Sequence, residues 1–220
     1  VDWTALWVTL KLAVWTTTIL LIIGIPLAYW LASTRWRGKF LIEAAVALPL
    51  VLPPTVLGYY ILMASGPNCM LGRSIEAITG TPLPFTFSGI LLGSVLFNLP
   101  FAVRPFTSAF AAVDRRLIEA SWCLGVSRLA TFLRVIIPLS WPGILTGVVL
   151  TFTHTMGEFG VVLMLGGNIP GVTRTLSIAL YDDVQALNYE SAGRTALILV
   201  TCAFAALCVT YALQKRMPAL

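Results

Sequence analysis

Charge is what this chain has least of. Of its 220 residues only 10% are Asp, Glu, Lys or Arg, while 58% are hydrophobic. A soluble domain of this size carries about a quarter charged residues. Histidine occurs once, at His154, with no metal-ligand spacing around it. The four cysteines, Cys69, Cys123, Cys202 and Cys208, form neither a CxxC pair nor a Cys/His cluster and read as small apolar packing residues. No G-x-x-x-x-G-K-[ST] stretch exists; Gly38-Lys39-Phe40 lacks both the upstream glycine and the hydroxyl, so the chain has no P-loop for ATP. A nucleophile, base and orienter set is missing, as are the paired intramembrane acids of proton-coupled transporters. The first residue is Val1 rather than methionine.

What the chain has instead is apolar length. Five runs read as membrane spans, over 4–32, 44–65, 87–112, 138–165 and 194–213. The chain is expected to be an all-α polytopic membrane protein in a single transmembrane domain, 1–220. The first run is not a cleavable leader, because its basic flank RWRGK follows it and the run is too long. The net charge of +5 then reports orientation rather than nucleic-acid binding. Arg35, Arg37, Lys39, Arg115, Arg116, Arg128, Arg134, Lys215 and Arg216 fall on one side, against Arg73, Arg174 and Arg194 on the other. Positive-inside bias places the N-terminus outside and the C-terminus in the cytoplasm. Lys11 and Arg104 lie within spans, and snorkelling to the interface accounts best for Arg104.

Two spans are irregular. The second holds Pro49, Pro53 and Pro54, the third Pro100 and Pro105, and each interior proline removes a backbone hydrogen bond. Freed carbonyls cannot face lipid, so Pro53, Pro54 and Thr55 are candidates for a solute path or gate. In the fourth span Thr151, Thr155 and Glu158 are spaced i, i+4, i+7 and share a face. That face either lines a path or makes interhelical hydrogen bonds. Thr151, Thr153 and Thr155 are candidate donors to a solute. Glu158 would repel an anion and reads as a structural partner near the outer mouth or a helix end. Gly143 and Gly147 permit close helix approach. The polar stretch 167–193 reads as an outer loop and a candidate docking surface.

One segment fits no span: EASWCLGVSRLATFLRVIIPL, residues 119–139. Leu117, Ser121 and Leu124 share one face of a first short helix, which Gly125 ends in the left-handed conformation. Ser127 caps a second, on which Leu129, Phe132, Leu133 and Ile136 repeat at i, i+3, i+4, i+7, and Pro138 opens the next span. Two short amphipathic helices meeting at an angle need a surface, either lipid or a groove on another protein. The bend and the sparse basic residues favour the groove.

The same residues carry a resemblance. Glu119-Ala120-Ser121, then three residues, Gly125, nine more and Val135-Ile136-Ile137-Pro138 resemble the EAA signature of ABC importer permeases. The usual form is EAA, three residues, G, nine residues and I-x-L-P; this chain has Ser, Val and Ile in place of Ala, Ile and Leu. LPLVLPPTVLGYYIL (48–62), VDRRLIEASWCLGVS (113–127) and TMGEFGVVLMLGGNIPGVTRTLSIALY (155–181) are similar to the molybdate permease branch, to which tungstate and sulfate permeases are close. The resemblance implies a type I (MetI-like) importer fold and a homodimer without catalysis of its own. It also implies cytoplasmic ATPase subunits that bind ATP and Mg, and an oxyanion-binding protein outside. Glu119, Ala120, Ser121, Gly125, Val135, Ile137 and Pro138 would form the ATPase-coupling loop, 113–137. Two other classes stay open: a stand-alone channel or secondary transporter built on the broken spans, and an intramembrane enzyme resting on His154 and Glu158.

Overall fold

The computed structural model describes residues 2–215, all of whose regular structure is helical. Helix α1, Trp3–Ser33, starts on Asp2, whose Oδ1 accepts from the backbone N–H groups of Thr4 and Ala5 at 3.0 Å. Its 31 residues give about 46 Å, more than the hydrocarbon thickness of about 30 Å. At its far end Lys39 Nζ donates to the Leu31 carbonyl at 3.1 Å, satisfying a group the helix leaves open.

The expected span 44–65 is two helices, α2 (Lys39–Val51) and α3 (Pro54–Ser65), bent by 113°. The cause is the Pro53-Pro54 pair. A residue preceding proline is pushed out of the α region, and here that applies to Leu52 and to Pro53 in succession. Both are extended, at φ −74°, ψ 138° and φ −54°, ψ 135°. Helix α4, Met70–Thr79, follows at the surface and stops at Gly80 (φ 72°).

Helix α5, Phe87–Ala111, stays continuous through Pro100 and Pro105 and forms the centre of the bundle with α1. Helix α6, Arg115–Cys123, is capped by Asp114, which accepts from Arg116 N–H at 2.9 Å. Next come α7 (Arg128–Thr131), a π-helical turn (Phe132–Ile136) and α8 (Ile137–Met156), which run on as one helix. The second short helix and the fourth span are therefore not separate, and Pro138 does not open a span. Pro138 lacks an N–H, and its ring would press on the carbonyl four residues back. A widened turn, in which Ile137 N–H bonds to the Phe132 carbonyl, lets the helix pass.

Instead of reaching residue 165, the fourth span ends at Met156. Gly157, Glu158 and Phe159 break it before α9, Gly160–Gly166. The expected outer loop contains a helix, α10 (Leu176–Gln185), and is held in place by ion pairs. Arg174 reaches Asp2 at 3.6 Å and Asp182 at 3.2 Å, so it ties the start of α1 to α10. Helix α11, Tyr189–Lys215, packs on α8 and α10 and leaves most of its apolar side chains exposed, as lipid or a second chain requires. Arg216 lies outside the described residues. Among the described residues four helices are long and apolar enough to cross a membrane, or five if α2 and α3 count as one bent span.

The core sits where α1, α5 and α8 cross. Leu20, Leu31, Val103, Phe106 and Ile144 are buried there. Gly143 and Gly147 let α8 approach closely: a Cβ would lie 2.4 Å from Ala109 Cβ and 2.5 Å from the Phe106 ring.

Candidate functional site

Two places gather most of the candidate site residues. The first is the turn between α6 and α7. Gly125 takes φ +77°, donates to the Trp122 carbonyl at 2.9 Å, and is followed by a Val126 N–H to Ser121 carbonyl bond of 3.1 Å. This pair of bonds is the Schellman ending of a helix, and it explains the glycine. Ser127 Oγ then accepts from Ala130 N–H at 3.3 Å and starts α7. Inside the corner the hydroxyls of Ser121 and Thr131 are buried and 2.9 Å apart, which locks α6 against α7.

The two apolar stripes divide differently from the sequence pattern. Ser121 faces inward, whereas Leu117 and Leu124, placed on its face by spacing, are exposed, Leu124 by 83%. On the continuing helix Ile136 is buried and Phe132 packs against Tyr29 and Phe110, while Leu129 and Leu133 are exposed. One half of each stripe thus serves the chain's own bundle, and the other half forms an apolar outer surface flanked by Glu119, Ala120 and Arg128. Val135 and Ile137 are half-buried and Pro138 exposed on the helix above. The Arg128 guanidinium lies 5.7 Å from the Trp122 ring, stiffening the rim.

The second place is a cavity of about 550 Å³ between α3, α5, the α8 end and α9. Pro54, Thr55, Thr153, His154 and Glu158 line it, closed on one side by Phe97. Pro54 and Thr55 stand at the N-terminus of α3, which the bend at Pro53 turns into the cavity. A Cβ on Gly160 would come within 2.9 Å of Pro54, so only glycine lets α9 seat against α3 this closely.

Of the hydroxyls picked out by sequence, Thr153 lines the cavity, but its proton goes to the Val149 carbonyl at 2.8 Å. Thr155 donates to the Thr151 carbonyl at 2.8 Å, and both Thr151 and Thr155 are buried among helices away from the cavity. Glu158 has the structural role expected of it. Its Oε2 accepts from Ser94 Oγ at 2.8 Å and Asn98 Nδ2 at 3.0 Å, and its carbonyl accepts from Ser177 Oγ. The helix break is thereby pinned to α5 and α10. Asn98 reaches on to His154 Nδ1 at 2.8 Å. Ser94 and Asn98 escaped the sequence reading; a Ser and an Asn four apart inside an apolar span signal a buried polar site but not its partners.

Comparison with known proteins decides the lineage. Residues 24–217 match the family described as "Binding-protein-dependent transport system inner membrane component". The chain belongs to this family. It is 45% identical over 214 residues to the molybdenum transport system permease protein ModB of Azotobacter vinelandii, covering 97% of this chain and 95% of that one. Against the ModB of Escherichia coli (strain K12) it is 34% identical, covering 95% and 92%. The probable sulfate transport permease cysT of Prototheca wickerhamii is 31% identical, covering 89% of this chain and 76% of that one. Among solved structures, a bacterial ABC transporter that imports the acidic polysaccharide alginate superposes with a TM-score of 0.79 at 17% identity, over 98% of this chain and 79% of that one. At that identity the likeness speaks for the fold, which is that of ABC importer permeases. As a family member the chain is a multi-pass inner-membrane transport component.

Proposed function

We propose that this chain is the transmembrane permease subunit of an ATP-driven importer that moves an oxyanion, molybdate, across the cytoplasmic membrane by alternating access. The observation that carries the reading is the 45% identity to a molybdenum permease along 97% of the chain. Two copies form the path between them, since four or five spans alone make a thin wall. The N-terminus lies outside and the C-terminus in the cytoplasm, following the basic residues.

The work enters at the α6–α7 corner. Its exposed Leu117, Leu124, Leu129 and Leu133 suit a groove on a cytoplasmic ATPase, which binds ATP and Mg in place of the P-loop this chain lacks. Glu119, Ala120 and Gly125 form the contact, and Ser121 braces it from behind. Val135, Ile137 and Pro138 lie on the helix that runs from the corner into the bundle. Because α7, the π turn and α8 are continuous, a push on α7 reaches the cavity at the far end of α8 without crossing a joint. Pro53, Pro54, Thr55 and Thr153 stand beside the path, with Thr151 and Thr155 behind it. An oxyanion-binding protein docks outside over the α10 region. A tight internal site is unnecessary, because a dianion buried without partners is prohibitively costly.

The test is uptake into liposomes holding the permease, its ATPase and its binding protein, with molybdate, tungstate, sulfate and phosphate compared. ATP-dependent uptake of molybdate, or of tungstate, which matches it in size and charge, is expected. Preference for sulfate would move the chain to the sulfate branch, and uptake without the ATPase would make it a secondary transporter.

A further inference from the structure

A lone acid in the wall of an anion path is a contradiction, and the cavity supplies its own answer. Glu158 is only 4% exposed, lines the cavity and would repel an approaching dianion. It does not meet the solute alone. Both hydrogens of the Asn98 amide are directed at acceptors, the Ser94 carbonyl at 2.9 Å and Glu158 Oε2 at 3.0 Å. The Asn98 atom 2.8 Å from His154 Nδ1 is therefore the amide oxygen, which can only accept. Nδ1 must carry the proton, so the other nitrogen, Nε2, carries the lone pair of the neutral ring. Phe101 stacks on the ring with centroids 3.9 Å apart, and Phe97 lies 5.2 Å away, so the plane of the imidazole is fixed.

We propose that His154 is the residue of this chain that contacts the transported oxyanion, through Nε2, and that Glu158 acts on it through Asn98 as a positioning and charge-balancing group. The assignment rests on the oxyanion reading above. When the ring takes a proton from cavity water it has an N–H at each end, one given to Asn98 and one to a solute oxygen. Its positive charge then stands between the dianion and Glu158, and the wall is neutral with its positive end towards the path. No other side chain on the cavity wall can carry a positive charge. Thr153 has spent its proton on Val149, and Pro54 and Thr55 of α3, Phe97 of α5 and Gly160 of α9 are uncharged. Glu158 is the one other titratable group on the cavity wall. A neutral ring offers only a lone pair at Nε2, which a fully deprotonated oxyanion cannot use.

The experiment uses the complete transporter in liposomes, with molybdate uptake per ATP hydrolysed measured across about pH 5–8, where histidine changes charge. The wild type is expected to lose uptake as pH rises. His154→Gln, with an amide donor of similar reach, should transport at a rate independent of pH, and His154→Leu should lose at least about tenfold in uptake, the equivalent of about 1.4 kcal/mol. Glu158→Gln should shift the pH profile downward, because removing the countercharge makes the imidazolium harder to form; a purely structural role would not move it. A His154→Leu complex that transports as fast as wild type, or a His154→Gln complex with the wild-type pH profile, overturns the assignment alone. If His154→Leu fails to assemble with the ATPase on gel filtration, the pH profile of His154→Gln decides. A wild-type complex that moves no oxyanion at any pH overturns the transport reading and this assignment together.

Discussion

The buried hydroxyl pair of Ser121 and Thr131 offers the sharpest test of how the α6–α7 corner is held. The two oxygens are 2.9 Å apart; Ser121 is 8% exposed and Thr131 1%. No salt bridge joins α6 to α7 among the described residues, so this bond is the polar link inside the corner. A hydrogen bond of this kind contributes about 0.5–1.5 kcal/mol net, but removing one partner leaves the other hydroxyl dry, at about 1–3 kcal/mol. Ser121→Ala or Thr131→Val alone should therefore loosen the corner by about 1–3 kcal/mol. Replacing both removes the orphan as well and should cost less than the two single changes added together. The loss falls on a surface element rather than on the bundle core, so the unfolding temperature in detergent should change little. Coupling is where it should appear: binding-protein-stimulated ATP hydrolysis that moves less solute per ATP in each single variant and is partly restored in the double. Single variants with wild-type coupling, or a double variant equal to the sum of the singles, would refute the brace.

Three further outcomes are expected. Gly125→Ala puts a side chain at φ +77°, at about 1–2 kcal/mol, with nothing within 4 Å to clash, so its effect should be on the angle of the corner. It should weaken ATPase pull-down while leaving the thermal unfolding of the permease in place. Gly147→Ala brings a Cβ to 2.5 Å from the Phe106 ring and should lower stability by about 1–3 kcal/mol, read as a drop in unfolding temperature. Asp2, at the start of α1, is held below its ordinary carboxylate value of 3.8, first by the Thr4 hydroxyl and then by the Ala5 N–H, with help from Arg174. A depressed value means that the cap is fully present above pH 3.8 and lost as pH falls through the lower folded value. Hydrogen exchange at the Thr4 and Ala5 amides should rise only in that acid window, and Asp2→Asn should remove the pH dependence.

What was legible from sequence was what short-range chemistry settles. Gly125 and Ser127 end one helix and begin the next through bonds that span three to five residues, and both did as their types require. The Pro53-Pro54 break could be read as an irregularity, but its 113° angle depends on what α3 packs against, namely α9, a hundred residues later. Pro138 was misread because proline at a helix start and proline beside a π turn look alike in sequence, and only the packing of Phe132 and Ile136 on the bundle tells them apart. The Ser94–Glu158–Asn98–His154 chain was invisible for the same reason. Its bonds join residues 56 to 64 apart, and no periodicity reports such a meeting.

The breaks and the polar chain belong to one argument. In lipid a helix that stops must have its open backbone groups met by protein. Pro53 and Pro54 carry no N–H to satisfy, so α3 begins with two fewer orphan donors than an ordinary helix would. At the other break Ser177 donates to the Glu158 carbonyl, and Ser94 and Asn98 donate to its side chain. These two breaks face each other across the cavity, with Gly160 against Pro54. A movement of α8 driven from the α6–α7 corner would be delivered there, because α8 ends at the cavity and the widened turn at Phe132–Ile136 joins it without a break to α7. Straight helices would seal this region. Broken ones, tied across the break by side-chain bonds such as that from Ser177 to the Glu158 carbonyl, leave a cavity between them.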